Sequence, residues 1–192
     1  MPRAGLATTS VTEAAADLVD EVGFPGLSMG LLAERLGVRT PSLYKHVDGL
    51  SDLVHRIAVL AATELGDALH EAVADRSGSE ALRAAAQAMR SYVKSHPGRY
   101  AAGNSLPPAG PADPLGPAIN RMLGAFAAVL RGYGLDPRQE IHALRMMRSV
   151  LHGYTVLELD GGFRFSTDVD ESFDWMVDFL DAGLRSVREF EG

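Results

Sequence analysis

Gly37 is the position that most limits how this chain can fold. Before it stand Leu31, Leu32 and Leu36, apolar residues at helical spacing opened by Ser28, a good N-cap. After it comes Thr40-Pro41, where a proline in the first helical turn costs no hydrogen bond. Two helices therefore meet across a tight turn, the layout of a helix-turn-helix corner. Val38 and Leu43 point back into a small core. Arg39, Thr40, Ser42, Tyr44, Lys45 and His46 are left for the outside. Each of these six side chains carries a hydrogen-bond donor and none is an acid. That profile suits phosphate oxygens and base edges. The same residues also fit a plain bundle corner, with Tyr44 half-buried, Lys45 on a solvated face and His46 a partly buried C-terminal histidine.

Helical spacing continues on both sides. Ser10-Val11-Thr12-Glu13 reads as a capping box opening a helix with Val11, Ala14, Ala15, Leu18 and Val22 on one face. The segment Gly23 to Gly26 ends it. Asp48-Gly49 closes the third helix, which starts at Thr40-Pro41. A longer one follows over about 50–74 with Leu53, Ile57, Leu60 and Leu65 as its stripe. Residues 79–95 place Leu82, Ala85, Ala86, Met89 and Val93 inward. The stretch 103–117 holds five prolines and reads as an irregular loop. Helices over 118–131, 137–159 and about 169–190 complete the chain, the second of them opened by Asp136-Pro137. About nine helices and no strand pattern predict an all-α fold.

Net charge is −7, with no cysteine. Thiolate metal sites, disulfides and cysteine nucleophiles are excluded. Residues 1–50 hold four Lys or Arg against six acids, yet 39–47 holds two cations, a histidine and no acid. The basic surface is a local patch, so non-specific nucleic-acid binding is expected to be weak and salt-sensitive. No apolar run reaches the ~18 residues of a membrane span, and the N-terminus lacks the plan of a secretory signal. A cytoplasmic location is expected. No zincin, phosphate-loop or nucleophile-elbow pattern stands out. Neither the shared face of His142 and Arg145 nor that of Asp174 and Asp178 requires chemistry, and His142 with His152 lacks further metal ligands. No catalytic residue, metal or cofactor is expected.

Residues 9–65 resemble the DNA-binding domain of the TetR family of one-component bacterial transcriptional regulators. The resemblance rests on Leu32-Ala33-Glu34-Arg35-Leu36-Gly37-Val38, then Ser42-Leu43-Tyr44-Lys45-His46-Val47, then Leu53. It implies that Arg39, Thr40, Ser42, Lys45 and His46 occupy positions contacting bases or phosphates, and Tyr44 a phosphate-contacting one. Arg39 and Lys45 are the candidate guanine readers, since both can donate to O6 and N7. Thr40 and Ser42 suit the backbone. Leu50 is a departure, standing where the family usually carries a phosphate-binding lysine. The resemblance implies a DNA-binding domain over 1–50, extending to about 65 with the linking helix. It implies an effector-binding and dimerisation domain over 66–192. His96-Pro97-Gly98-Arg99-Tyr100, Leu151-His152-Gly153-Tyr154 and Gly161-Gly162-Phe163 resemble a TetR subgroup marked by a His-Gly pair on the penultimate long helix.

The function so implied is a ligand-responsive repressor. It binds a palindromic double-stranded DNA operator as a homodimer and is released by a small-molecule effector of unknown identity. The last helix carries two apolar stripes where a surface helix needs one, which favours burial by a partner. Phe173, Val177, Leu180 and Leu184 form one stripe, Met176, Phe179 and Gly183 the other. Candidate pocket residues are Met89, Tyr92, Met122 and Phe126, together with Met147, Leu151, His152 and Trp175. Met and aromatic residues at this spacing more often simply build a core, and His152 also reads as a satisfied core histidine. The alternative function is a helical small-molecule-binding protein with a vestigial helix-turn-helix.

Overall fold

Capping chemistry and glycine placement set many of the helix ends. The computed structural model describes residues 7–187, and every regular element among them is a helix. In order these are α1 (Thr8–Val22), α2 (Met29–Leu36), α3 (Thr40–Leu43), α4 (Leu50–Val73) and α5 (Gly78–Ser95). There follow α6 (Pro97–Gly103), α7 (Leu115–Arg131), α8 (Pro137–Leu159) and α9 (Val169–Ser186), with a 3-10 turn at Phe24–Gly26. The all-α expectation is met. None of these helices is long and apolar enough to cross a membrane. The expected run of the last helix to about 190 passes outside the described residues, as does the N-terminal stretch 1–6.

Three local expectations are corrected. The capping box at Ser10–Glu13 does not form, because the N-cap is Ala7, three residues before Ser10, and Ser10 is already helical. Val11 N–H bonds to the Ala7 carbonyl at 3.1 Å, and Thr12 Oγ1 donates to the Thr8 carbonyl at 3.1 Å. The proline-rich loop is shorter than 103–117, since α7 begins at Leu115. A helix that the apolar period did not reveal, α6, precedes it. Pro97 opens α6 at a position whose missing N–H has no helical partner to lose. By contrast Asp136 forms the full capping box on α8, accepting from Arg138 and Gln139 amides while the Gln139 side chain accepts from Asp136 N–H.

The described chain divides into two compact units. The first takes residues 7–64 and Ser95–Ala118, so α6 and the proline-rich loop belong with the N-terminal helices. Its core is built from Val11, Ala15 and Val19 of α1, Leu32 of α2, Leu43 of α3, and Leu53 and Ile57 of α4; Ala102 of α6 joins them. The loop is held by Asp113. This carboxylate accepts from the Ala109 amide at 2.7 Å, the Leu115 amide at 2.8 Å and His55 Nε2 at 2.8 Å. Those amide bonds, with His55 beside them, lower its pKa from the ordinary 3.8 to about 2. A folded-state pKa below the unfolded one stabilises above the unfolded value and is lost as pH falls through the folded one. The Ala109 and Leu115 amides should therefore lose hydrogen-exchange protection as pH falls from about 4 to about 2. Asp113→Ala, which removes both accepting oxygens, should release them at neutral pH; retained protection in that variant would reject the clasp.

The second unit takes 65–94 and 119–187. Its charged centre is Arg90, only 5% exposed. The guanidinium bonds both oxygens of Glu158 on α8 at 2.7 and 2.8 Å and Asp170 on α9 at 2.6 Å. It also lies 4.5 Å from the centre of the Phe173 ring. A second clasp is Asp181 of α9, which accepts from Ser79 Oγ and from Tyr133 OH at 2.6 Å each. Burial and that bond both raise the Tyr133 pKa.

Candidate nucleic-acid interface

The corner around Gly37 is made by backbone geometry that only a few residue types accept. Gly37 sits at φ +65°, the left-handed region where a Cβ is disfavoured. Its amide bonds Glu34 and the Val38 amide bonds the Ala33 carbonyl at 3.0 Å, which closes α2. Ser28 Oγ accepts from the Leu31 amide at 3.3 Å at the other end of that helix. Arg39 is extended, and Pro41 then lies in the first turn of α3.

α3 is shorter than the sequence suggests. Its α-helical part is Thr40–Leu43, and the chain continues as hydrogen-bonded turns to Val47. His46 and Val47 amides both bond the Leu43 carbonyl, at 2.9 and 3.1 Å. Leu43 is wholly buried and Val47 nearly so. These two side chains fix the segment's orientation, and burying each is worth about 2 kcal/mol. Around them Arg39, Tyr44 and Lys45 are exposed, while Thr40, Ser42 and His46 are half-buried. Tyr44 is 57% exposed, which rules out the packing role that the sequence left open. Among the described residues neither Arg39 nor Lys45 enters an ion pair, whereas Arg35 on α2 is paired with Glu21. The predicted donors thus stand together on one short segment with two uncommitted cations.

The start of α4 borders this surface and carries no cation. Leu50 is exposed there. Asp52 bonds the Asp48 amide at 2.9 Å and Arg56 Nε at 2.9 Å. The first amide bonded back along α4 is that of Leu53, to Gly49. The preceding first-turn amides point away without a helical partner.

Comparison with known proteins agrees with this geometry. Residues 11–57 match the family model described as bacterial regulatory proteins, tetR family, and residues 82–180 match a tetracyclin repressor-like C-terminal domain. An HTH-type transcriptional regulator of Mycobacterium tuberculosis, described as uncharacterised, is 37% identical over 183 residues. That alignment covers 95% of this chain and 83% of the relative. The chain belongs to the TetR family. A second HTH-type regulator, from Bacillus subtilis, is 31% identical over 95% of both chains. A TetR variant of Acinetobacter baumannii crystallised with minocycline shares the fold at TM-score 0.72 and 24% identity, covering 96% of this chain and 99% of its own. This TetR-family protein is accordingly a DNA-binding transcriptional regulator.

The second unit receives the other predicted residues unequally. Met89, Met122, Phe126, Met147 and Leu151 are buried there, Tyr92 nearly so, and His152 is half-buried on α8. Trp175 is not among them. It is 68% exposed and stacks on Phe179 with ring centres 5.5 Å apart. Two residues along a helix turn the side chain about 200°, so burying Phe173 and Val177 faces Trp175 outward. The interface assignment needs the matching correction. Phe173, Val177, Leu180 and Leu184 are buried within the protomer and form its core stripe. The face that α9 leaves uncovered is Trp175, Phe179 and Gly183 at i, i+4 and i+8, with Met176 half-buried beside it.

Sequence reasoning missed one cluster that shapes this TetR-family head. Arg99 of α6 has Glu64 at 3.0 Å and also pairs with Asp17. Its Nε lies 2.9 Å from Asp20, too poorly angled for a hydrogen bond. The Arg99 amide and His96 Nδ1 bind the same Asp20 carboxylate at 2.9 and 3.0 Å. Pro97 just before Gly98-Arg99 was the available signal, as a helix opening that carries its own cation.

Proposed function

We propose that this protein is a ligand-responsive repressor that binds a palindromic operator as a homodimer and is released by a small-molecule effector. The observation that carries the reading is the exposed segment Arg39 to His46, acid-free and anchored by Leu43 and Val47. Arg39 and Lys45 read guanine edges, Thr40, Ser42 and Tyr44 hold phosphates, and His46 lies at the segment's inner edge. Partnerless amides at the start of α4 supply the phosphate contact that Leu50 cannot make. The dimer is supported by the uncovered Trp175–Phe179 face. Exposed Arg145 and Arg148 on α8 and Asp174 on α9 add charges of both signs for a partner, Asp178 being already paired with Arg83.

The effector binds in the second unit and biases α4, which contributes residues to both units. Tilting α4 changes the separation of the two recognition segments, which must match one DNA turn, roughly 34–36 Å. Linkage requires that operator weaken effector binding by the same factor.

Fluorescence anisotropy on an operator recovered by genomic-fragment selection tests the reading. Arg39→Ala and Lys45→Ala should each weaken specific binding by about tenfold or more. Circular dichroism should not change, since both side chains are exposed. Parent-like affinity in both variants would reject the interface. Failure to recover any fragment would favour a small-molecule binder with a vestigial helix-turn-helix.

A further inference from the structure

The first unit contains a cleft that neither the DNA-facing segment nor α6 uses. Its volume is about 460 Å³, within the range of small-molecule sites. One wall is the opening turns of α1, including Thr12 and Glu13. The other is a single face of α4 bearing Asp52, Arg56, Val59, Leu60 and Thr63, and Pro114 lies at the edge.

Four polar side chains of this cleft, Thr12, Thr63, Glu13 and Asp52, offer it acceptors, while Arg56 keeps its Nη donors beside them. Thr12 Oγ1 spends its proton on the Thr8 carbonyl at 3.1 Å, and Thr63 Oγ1 on the Val59 carbonyl at 2.8 Å. Both hydroxyl oxygens therefore offer only lone pairs to anything bound between them. Asp52 uses Oδ2 for the Asp48 amide and for Arg56, which leaves Oδ1. Glu13 is exposed and enters no ion pair among the described residues. His55, also in the lining, is engaged by Asp113. Glu13 and Asp52 against Arg56 leave one negative charge. Val59, Leu60 and Pro114 supply an apolar bed beside it.

We infer that this cleft binds a small organic cation, a protonated amine carrying an apolar body. The ammonium would donate to Glu13, Asp52 Oδ1 and the threonine oxygens, while the body lies on Val59, Leu60 and Pro114. An organic anion of the same shape would find the Nη donors of Arg56, whose charge Asp52 offsets, but also Glu13 and a net negative wall, and is disfavoured. This site lies in the first unit, apart from the effector site proposed above, and does not depend on it.

The test uses the full-length protein labelled with nitrogen-15 and three probes with one apolar body: 2-phenylethylammonium, 2-phenylethanol and phenylacetate. The cation should give saturable shifts at amides of residues 8–13 and 52–63, the alcohol weaker ones, and phenylacetate none. Glu13→Gln should weaken the cation by about threefold, the size of an exposed ion pair, and leave the alcohol unchanged. Val59→Trp should fill the cleft and remove both. Shifts confined to other residues, equal binding of phenylacetate, or no saturable response to the cation would each overturn the proposal. Glu13 is exposed, so its variant tests charge preference without threatening the fold.

Discussion

Gly98→Val is expected to destabilise the first unit by about 3 kcal/mol or more and to abolish operator binding with it. A Cβ at Gly98 would lie 2.0 Å from the Val19 carbonyl oxygen and 2.3 Å from its carbon. Both are backbone atoms inside α1, so no side chain can swing aside. Relief requires α6 to leave α1, which breaks the Arg99 pairs to Asp17 and Glu64 and the His96 bond to Asp20. The bonds from α6 to Asp17, Asp20 and Glu64 are then lost, and Ala102 leaves the core it shares with Leu32 and Leu43. Gly103→Ala is the control. Its Cβ would make an ordinary contact, 3.5 Å from Ala61 Cβ. Thermal unfolding should place it within about 1 kcal/mol of the parent. Equal midpoints for Gly98→Val and Gly103→Ala would mean that α6 is not seated on α1.

The same contrast explains what could be read in the sequence. The corner at Gly37 was legible because everything that makes it is local. A cap at Ser28, a left-handed glycine and a first-turn proline act within a dozen residues. The core role of Leu43 followed from the same spacing. Seven-residue α6 was not legible, since its hold on the fold comes from Val19, Asp17 and Asp20, about eighty residues away. The Arg90 clamp on Glu158 was hidden for the same reason. Propensity and period carry no record of such pairings. In α9 both apolar stripes were visible, but a stripe does not say whether its own protomer or a partner covers it. In the structure Phe173 meets Arg90 and Tyr154 inside the protomer, while Trp175 is 68% exposed and stacks on Phe179 one turn on.

That division makes α9 the sharpest test of the proposed dimer. Phe179→Glu should dissociate it while leaving the protomer folded, and Leu180→Glu, one residue on, should unfold the protomer. Phe179 is 65% exposed, so a carboxylate there stays hydrated in the monomer and costs little. In a twofold interface the substitution appears twice, and each copy buries an unpaired charge on association. A penalty of about 1.5 kcal/mol or more per copy raises the dimer dissociation constant at least a hundredfold. Leu180 is nearly inaccessible within one protomer, so a carboxylate there meets the core at once. Trp175 is the chain's single tryptophan and stands one turn from Phe179, which gives a direct optical readout. Parent emission should shift to the red on dilution as the ring is uncovered. Phe179→Glu should emit at the red position at every concentration, with a monomer mass in sedimentation. A dimer mass for Phe179→Glu, or parent emission that ignores concentration, would place the partner's contact somewhere other than this face.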